Sequence, residues 1–288
     1  MTLRKVRDRI YADTDGKNGG NLGAVVLDDE VVVVDSGMVH TLSRKVRQFV
    51  NDTFGLPILK LVITHSHSDH VFGAQAFDPT SIIGSMNMRR VCEQNLSGQW
   101  KIDAIRDYVR PVKDERLEFW TSLDDLEIRI PDIVFDNRLF IGREKEMTVQ
   151  LVGGHTTGSS IVVIEPEHIA FVGDLIFNGS FPYAGDPTCD PDRWIMSLEG
   201  IKAAEYEQII PGHGPVCGQD EIVRHLDFLS TLRGRIKHAL LEGLTSEEFL
   251  EQDLLPEYYV EGAERRSSST VEHWFGFYKA VGDSHAPP

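Results

Sequence analysis

Cysteine is scarce in this chain. Cys92, Cys189 and Cys217 are the only three in 288 residues. An odd number of widely spaced thiols excludes a disulfide framework and suits a reducing, cytoplasmic setting. Cys217, shortly after His213, is read as a buried thiol rather than a soft metal ligand. Basic residues are also few, 29 Lys and Arg against 45 Asp and Glu, for a formal net charge of −16. Nucleic-acid affinity comes chiefly from Lys and Arg neutralising phosphates, so nucleic acid is excluded as the expected partner. No apolar run approaches a membrane span, and the charged stretch from Met1 to Ile10 leads into no apolar segment, so neither membrane insertion nor a secretory signal is expected. Low-complexity linkers, charge blocks and internal repeats are missing too. The expectation is a single domain over 1–288 with a helical C-terminal part about 219–288.

What is present is a concentration of metal-binding side chains. The apolar run Ile58-Leu59-Lys60-Leu61-Val62-Ile63 reads as a buried strand and leads directly into Thr64-His65-Ser66-His67-Ser68-Asp69-His70. Two residues apart on extended backbone, His65 and His67 send their rings to one side. Asp69 and His70 fall at the turn into a helix and present a second set of donors. A lone histidine usually binds nothing, whereas this cluster is a metal-site pattern.

The remaining chain repeats one design, an apolar strand followed by a turn and a donor. Asn21 to Leu27 and Val31 to Val34 read as a hairpin buried on both faces, closed by Asp35, which either supports the metal ligands from behind or caps its loop. An amphipathic helix is expected over 40–52, a short helix over 71–77, a strand at 81–84 and mostly helix over 85–109. The stretch from Trp100 to Trp120 forms either a surface helix or a cap over the site. Alternation over 126–141 with a turn at Asp136-Asn137 predicts a hairpin. The strand 147–152 ends at Gly153-Gly154-His155, the strand pair 161–164 and 168–172 runs into Gly173-Asp174, and 208–210 runs into Pro211-Gly212-His213. A buried Asp after a strand needs a partner, so Asp174 is the candidate bridging carboxylate. Helices are expected at 191–204, begun by Asp190-Pro191, at 219–242, at 245–252 and at 269–281.

With the strands in two sheets packed face to face and helices outside, these loops gather at one edge. His65, His67 and His155 then bind one metal and Asp69, His70 and His213 a second, with Asp174 between them. Nitrogen and carboxylate donors without thiolate suit zinc first, then iron or manganese.

The motifs HSHSDH, GGH, GD and PGHG, in this order and at these separations, closely resemble the metallo-β-lactamase fold hydrolases over about Asn21 to Pro215. The resemblance implies a mixed α/β, four-layer αββα sandwich with a dinuclear centre in a cleft at its edge, and it carries the same seven ligands. It also implies a hydroxide nucleophile supplied by two divalent ions, with Asp69 and Asp174 as the catalytic carboxylates and a small ester, lactone, thioester or amide as substrate. The stretch Phe177 to Tyr183 after Asp174 is where such enzymes place substrate contacts, which makes Asn178 and Tyr183 candidates to aid the oxyanion; Phe181 and Trp194 either line the pocket or pack in the core. Glyoxalase II enzymes carry a third His within the first motif and a Gly pair after it, and this chain has Ser66, Ser68 and Val71-Phe72-Gly73 instead. The competing readings are a persulfide dioxygenase-like oxidoreductase with one iron on His65, His67 and His155, and a non-catalytic metal-binding protein. The cluster Trp274-Phe275-Gly276-Phe277-Tyr278 is either a homodimer contact, a lid, or a helix docked on the core.

Overall fold

A computed structural model describes residues 3–283. Met1 and Thr2 of the N-terminal stretch, and 284–288 of the C-terminal part, lie outside the described residues. The first sheet has seven strands in sequence order: β1 (Arg4–Arg7), β2 (Ile10–Asp13), β3 (Leu22–Val26), β4 (Val31–Val34), β5 (Ile58–Val62), β6 (Ser81–Ser85) and β7 (Ile133–Phe135). The second contains β8 (Arg138–Ile141), β9 (Met147–Leu151), β10 (Ser160–Ile164), β11 (Ile169–Phe177) and β12 (Gln208–His213), ordered β12-β11-β10-β9-β8. The helices are α1 (His40–Phe54), α2 (Ser68–Val71), α3 (Met86–Ser97), α4 (Ile102–Val109), α5 (Leu117–Ser122), α6 (Pro191–Ala203), α7 (Gln219–Leu241), α8 (Ser246–Glu251) and α9 (Ala263–Asp283).

Three apolar layers separate four structural ones, giving the expected αββα sandwich. The valines of β4 show why. Val31 and Val33 pack with Leu42 and Val46 of α1, while Val32 and Val34 face the other way and pack with Val149, Val162 and Phe171 of the second sheet. Alternation along a strand buried on both sides produces an unbroken apolar run. On the far side of the second sheet, Ile161, Val163 and Val172 pack against Trp194 of α6, Leu229 of α7 and Trp274 of α9.

Several expectations change. The turn at Asp136-Asn137 is not a hairpin: β7 pairs in parallel with β6, β8 pairs antiparallel with β9, and the chain crosses from one sheet to the other between them. β1 and β2 pair antiparallel at the N-terminal edge, where alternating charge hides a strand whose side chains are mostly exposed. α9 begins at Ala263 rather than 269. The C-terminal aromatic cluster is neither a dimer contact nor a lid, because Trp274, Phe275 and Tyr278 are buried in the core. α6 starts as expected, with Asp190 accepting from the Arg193 amide at 2.9 Å and Pro191 in its first turn. Among the described residues, no helix is long and apolar enough to cross a membrane.

Behind the second sheet, His225 of α7 is wholly buried, with Nδ1 2.7 Å from the Tyr258 hydroxyl and its ring near Phe177 and Trp194. Burial pushes its pKa down to about 3. An unfolded histidine titrates near 6.5, so the folded chain binds this proton less readily than the unfolded one. The neutral ring therefore contributes fully above about pH 6.5, and that stability is lost as pH falls towards 3. In denaturant titrations across that window, His225→Asn should be less stable than the parent at pH 7 and lose stability less steeply on acidification. The difference in slope is expected to be worth on the order of a few kcal/mol; equal slopes would count against a buried neutral imidazole.

Candidate metal centre

β5 ends at Val62, and the following loop carries Thr64 to His67 into α2. The Thr64 amide and hydroxyl donate to Asp35 Oδ1 and Oδ2 at 2.7 and 2.9 Å. Asp35, at the end of β4, sits in the left-handed region at φ 58°, which Asp tolerates better than most residues. Its Oδ2 also lies 3.0 Å from His70 Nδ1. Asp35 thus holds the loop and turns the His70 ring so that Nε2 faces the site, doing both things its position allowed. Its replacement by asparagine keeps the backbone preference and removes the charge behind His70. Asp35→Asn is expected to weaken metal affinity by about 10- to 100-fold, measured by competition with a chromophoric chelator; unchanged affinity would remove Asp35 from this role.

The other donors come from the second sheet. His155 lies in the loop between β9 and β10, which is closed by the Val152 and Gly153 amides donating to Ser159 O, both at 2.9 Å. Asp174 lies within β11, which runs on to Phe177 instead of ending at the aspartate. Gly173 at φ 53° shifts the register against β12 there and turns the carboxylate inward. His213 ends β12, its ring stacked at 5.0 Å on Phe177. A side chain on Gly212 would overlap Asp174 Oδ1, so the close approach of these strands requires a glycine.

All seven predicted ligands converge. The ligating atoms of His65, His67, His155 and Asp174 lie within 4.8 Å of one another, as do those of Asp69, His70 and His213. Asp174 joins the sets: Oδ1 is 3.0 Å from His70 Nε2, and Oδ2 is 3.6, 3.5 and 3.4 Å from Nε2 of His65, His155 and His213. His213 Nε2 is 3.3 Å from Asp69 Oδ2, and His155 Nε2 is 3.0 Å from His67 Nδ1. Cys217 belongs to neither set; its thiol is pushed up to about 12 by burial.

Electrostatics divides the two sets. Burial lowers the pKa of His65 and of His155, keeping both rings neutral with lone pairs available. In the other set burial opposes charge but is outweighed by neighbours: Asp174 raises His213 to about 9 and also raises His70. For the carboxylates burial alone would favour protonation, yet His213 and His70 hold Asp174 well below the usual range, and His70 leads the same effect on Asp69. The residues fit a pair of cations. His65 Nε2, His70 Nε2 and Asp174 Oδ1 are buried, point at one another, and make no hydrogen bond among the described residues. Buried polar atoms left in this state mark a place for an ion.

This centre forms one end of a cavity of about 580 Å³, lined there by His67, Asp69, Asp174 and His213. Trp100, Ile105, Tyr108, Val109 and Phe119 line it from the segment around α4 and α5, so the stretch from Trp100 to Trp120 contributes to the wall of the site. A larger groove of about 830 Å³ between α7, α8 and α9 has no His, Cys or Asp in its lining and lies away from the chemistry.

Of the four expected substrate contacts, only Tyr183 lines the cavity, its ring 5.6 Å from that of His67. Asn178 turns its amide to Pro215 O at 2.9 Å. Phe181 is buried against Phe228, and Trp194 is buried behind His155 with its indole N–H on Leu175 O at 3.0 Å. Position near the motif does not separate a pocket aromatic from a core one, and these last two belong to the core. Sequence reasoning missed Asp186, whose Oδ2 is 2.9 Å from His67 Nε2 and whose Oδ1 accepts from the Thr188 amide and hydroxyl. The Asp-Pro-Thr turn was its only local signal. It also missed Arg266 of α9, which lines the cavity from far along the chain.

A family model described as the Metallo-beta-lactamase superfamily matches residues 15–213. The chain is 23% identical over 256 residues to a linear primary-alkylsulfatase of a Pseudomonas strain, with 78% of this chain aligned to 48% of that protein, so it spans about half of the alkylsulfatase's length. It is 23% identical over 236 residues to an acyl-coenzyme A thioesterase of Gallus gallus, covering 76% of this chain and 80% of the relative. A Streptococcus pyogenes protein named as a probable metallo-hydrolase is 23% identical over 218 residues, covering 72% and 84%. Among solved structures, the fold is similar to the DIM-1 metallo-beta-lactamase, with a TM-score of 0.62 at 16% identity over 80% of this chain and 97% of that one. A metallo-beta-lactamase from Pontibacter korlensis gives 0.61 at 16% identity, covering 80% and 98%.

Proposed function

The chain belongs to the metallo-beta-lactamase superfamily, and from that premise we propose that it hydrolyses a small ester, lactone, thioester or amide at a dinuclear site, with zinc as the metal. The observation that carries this reading is Asp174, whose two carboxylate oxygens face the imidazoles of both donor sets at the end of an open cavity. His65, His67, His155 and Asp174 would hold one ion and Asp69, His70, His213 and Asp174 a second, and bound there the pair would supply an activated water near neutral pH and a Lewis acid for a carbonyl. The chain's own groups do the rest. Asp186 orients His67 through Nε2 and leaves Nδ1 to the site. Asp69, at the edge of the cavity, accepts the proton of the attacking water and returns it to the leaving group. Tyr183, which lines the cavity with its ring 5.6 Å from that of His67, offers a hydroxyl to the developing charge on the carbonyl oxygen. Trp100, Ile105, Val109 and Phe119 add apolar surface to the cavity, which limits access of bulk water.

The names of the thioesterase and alkylsulfatase relatives support ester-like substrates. The mononuclear iron reading leaves Asp69, His70 and His213 gathered without an ion, and the non-catalytic reading leaves the cavity without a use. The proposal includes one domain, a cytoplasmic location, supported by three cysteines that form no disulfide, and a small molecule as partner. The test is a screen of lactones, thioesters, phosphoesters and β-lactams on protein of measured metal content. Turnover should scale with zinc occupancy; a fully loaded protein inert to the whole panel would end the hydrolase reading.

A further inference from the structure

Arg266 lies beyond residues 15–213 that the family model matches, on a helix whose other contacts are structural. It is half-buried and lines the cavity beside Asp69, Asp174 and His213. Its guanidinium lies 5.2 Å from the centre of the Phe177 ring, and Nη1 donates to Phe181 O. Among the described residues it forms no ion pair, whereas the half-buried arginines Arg9, Arg129 and Arg233 each reach a carboxylate; Arg47, half-buried and also without an ion pair, donates to Ala76 O and does not line the cavity. A guanidinium carries five donors and never gives up its charge at working pH. Here one donor is anchored on Phe181 O, and the residue lines the cavity with donors to spare. In a chain of net charge −16, a cation at the cavity wall that forms no ion pair with its acidic neighbours is positioned for a ligand.

The wall around the α3–α5 segment is mixed. Phe72, Trp100, Ile105, Val109 and Phe119 form an apolar strip beside Gln94, Asn95, Gln99 and Arg116, and Phe72 packs edge-on to Trp100 at 5.2 Å. We propose that Arg266 binds an oxyanion group of the substrate and that this strip takes an apolar chain, so that the cavity selects anionic amphiphiles. The carboxylate, sulfate or phosphate character of the anion is the shared chemistry, and the choice of bond to be broken rests on the hydrolase reading given above.

Binding decides this without turnover. Decane-1-sulfonate, decanoate and 1-decanol are titrated into metal-loaded protein, followed by calorimetry and by the fluorescence of Trp100. The anions should bind at least about tenfold tighter than the alcohol, as expected for a charge-assisted bond, and whichever of the two binds more tightly identifies the preferred headgroup. Arg266→Gln should reduce that preference about tenfold, and Arg266→Lys, which keeps the charge and a donor for Phe181 O, should retain part of it. From butane- to decane-1-sulfonate, affinity should climb by about fourfold per methylene buried. A preference that survives Arg266→Gln, or an affinity independent of chain length, overturns the proposal. Esters assayed on the same samples keep the two readings apart: anion binding as described with no ester cleaved refutes the hydrolase and leaves the cavity assignment standing.

Discussion

Asp174→Asn should lower kcat/KM by on the order of 10³-fold or more while circular dichroism stays that of the parent. The reason is geometric. One carboxylate faces four imidazoles, with Oδ1 3.0 Å from His70 and Oδ2 at 3.4 to 3.6 Å from His65, His155 and His213. An amide keeps the volume but loses one acceptor and the charge that balances two cations. Metal analysis of the variant should show lower occupancy of both sets, because Asp174 serves both. Retention of full activity would place the chemistry elsewhere. A variant that had lost the parent's circular dichroism as well as its activity would show that Asp174 is needed for the fold, against the reading that its role is confined to the metal centre.

Removing the ions should have an effect as large. Dialysis against a strong chelator is expected to abolish hydrolysis, and adding zinc should restore it; Cys92 and Cys189 are no substitute nucleophiles, because both are buried and burial raises both thiols. Stripping should also lower the thermal midpoint, because an ion that binds only the folded chain stabilises it by mass action. Rebinding should release protons, as His213 is raised to about 9 and His70 is also raised in the metal-free chain. Restoration by iron(II) alone, with oxygen consumption on a persulfide, would instead favour the oxidoreductase reading.

The convergence of the seven candidate ligands was legible because each lies near the C-terminal end of a strand or in the loop or short helix after it, so local pattern carries their placement. His65 and His67 need only an extended backbone, and His213 only the end of β12. Asp174 was read as lying past its strand, since a bulge at Gly173 leaves no trace in hydropathy. The failed hairpin at Asp136-Asn137 had the same cause in reverse: alternation and a turn describe two strands but not their partners, and β7 and β8 find theirs in different sheets. Asp186 and Arg266 reach the site from a turn and a distant helix, where no periodicity points inward. Phe181 and Trp194 misled because an aromatic near a motif reads alike whether it faces a ligand or the core.

The crossing at Asp136-Asn137 also divides the donors. Before it the chain contributes His65, His67, Asp69 and His70, and after it His155, Asp174 and His213. Each donor set draws on both sides of that crossing, so neither half could assemble a complete coordination sphere by itself. A bound ion would act as a rivet between two slabs that otherwise meet across an apolar seam stitched by a few polar bonds, such as the Asn21 amide on Gly212 O and Arg9 on Glu167, and the chain's grip on metal would report on how well those slabs are mated.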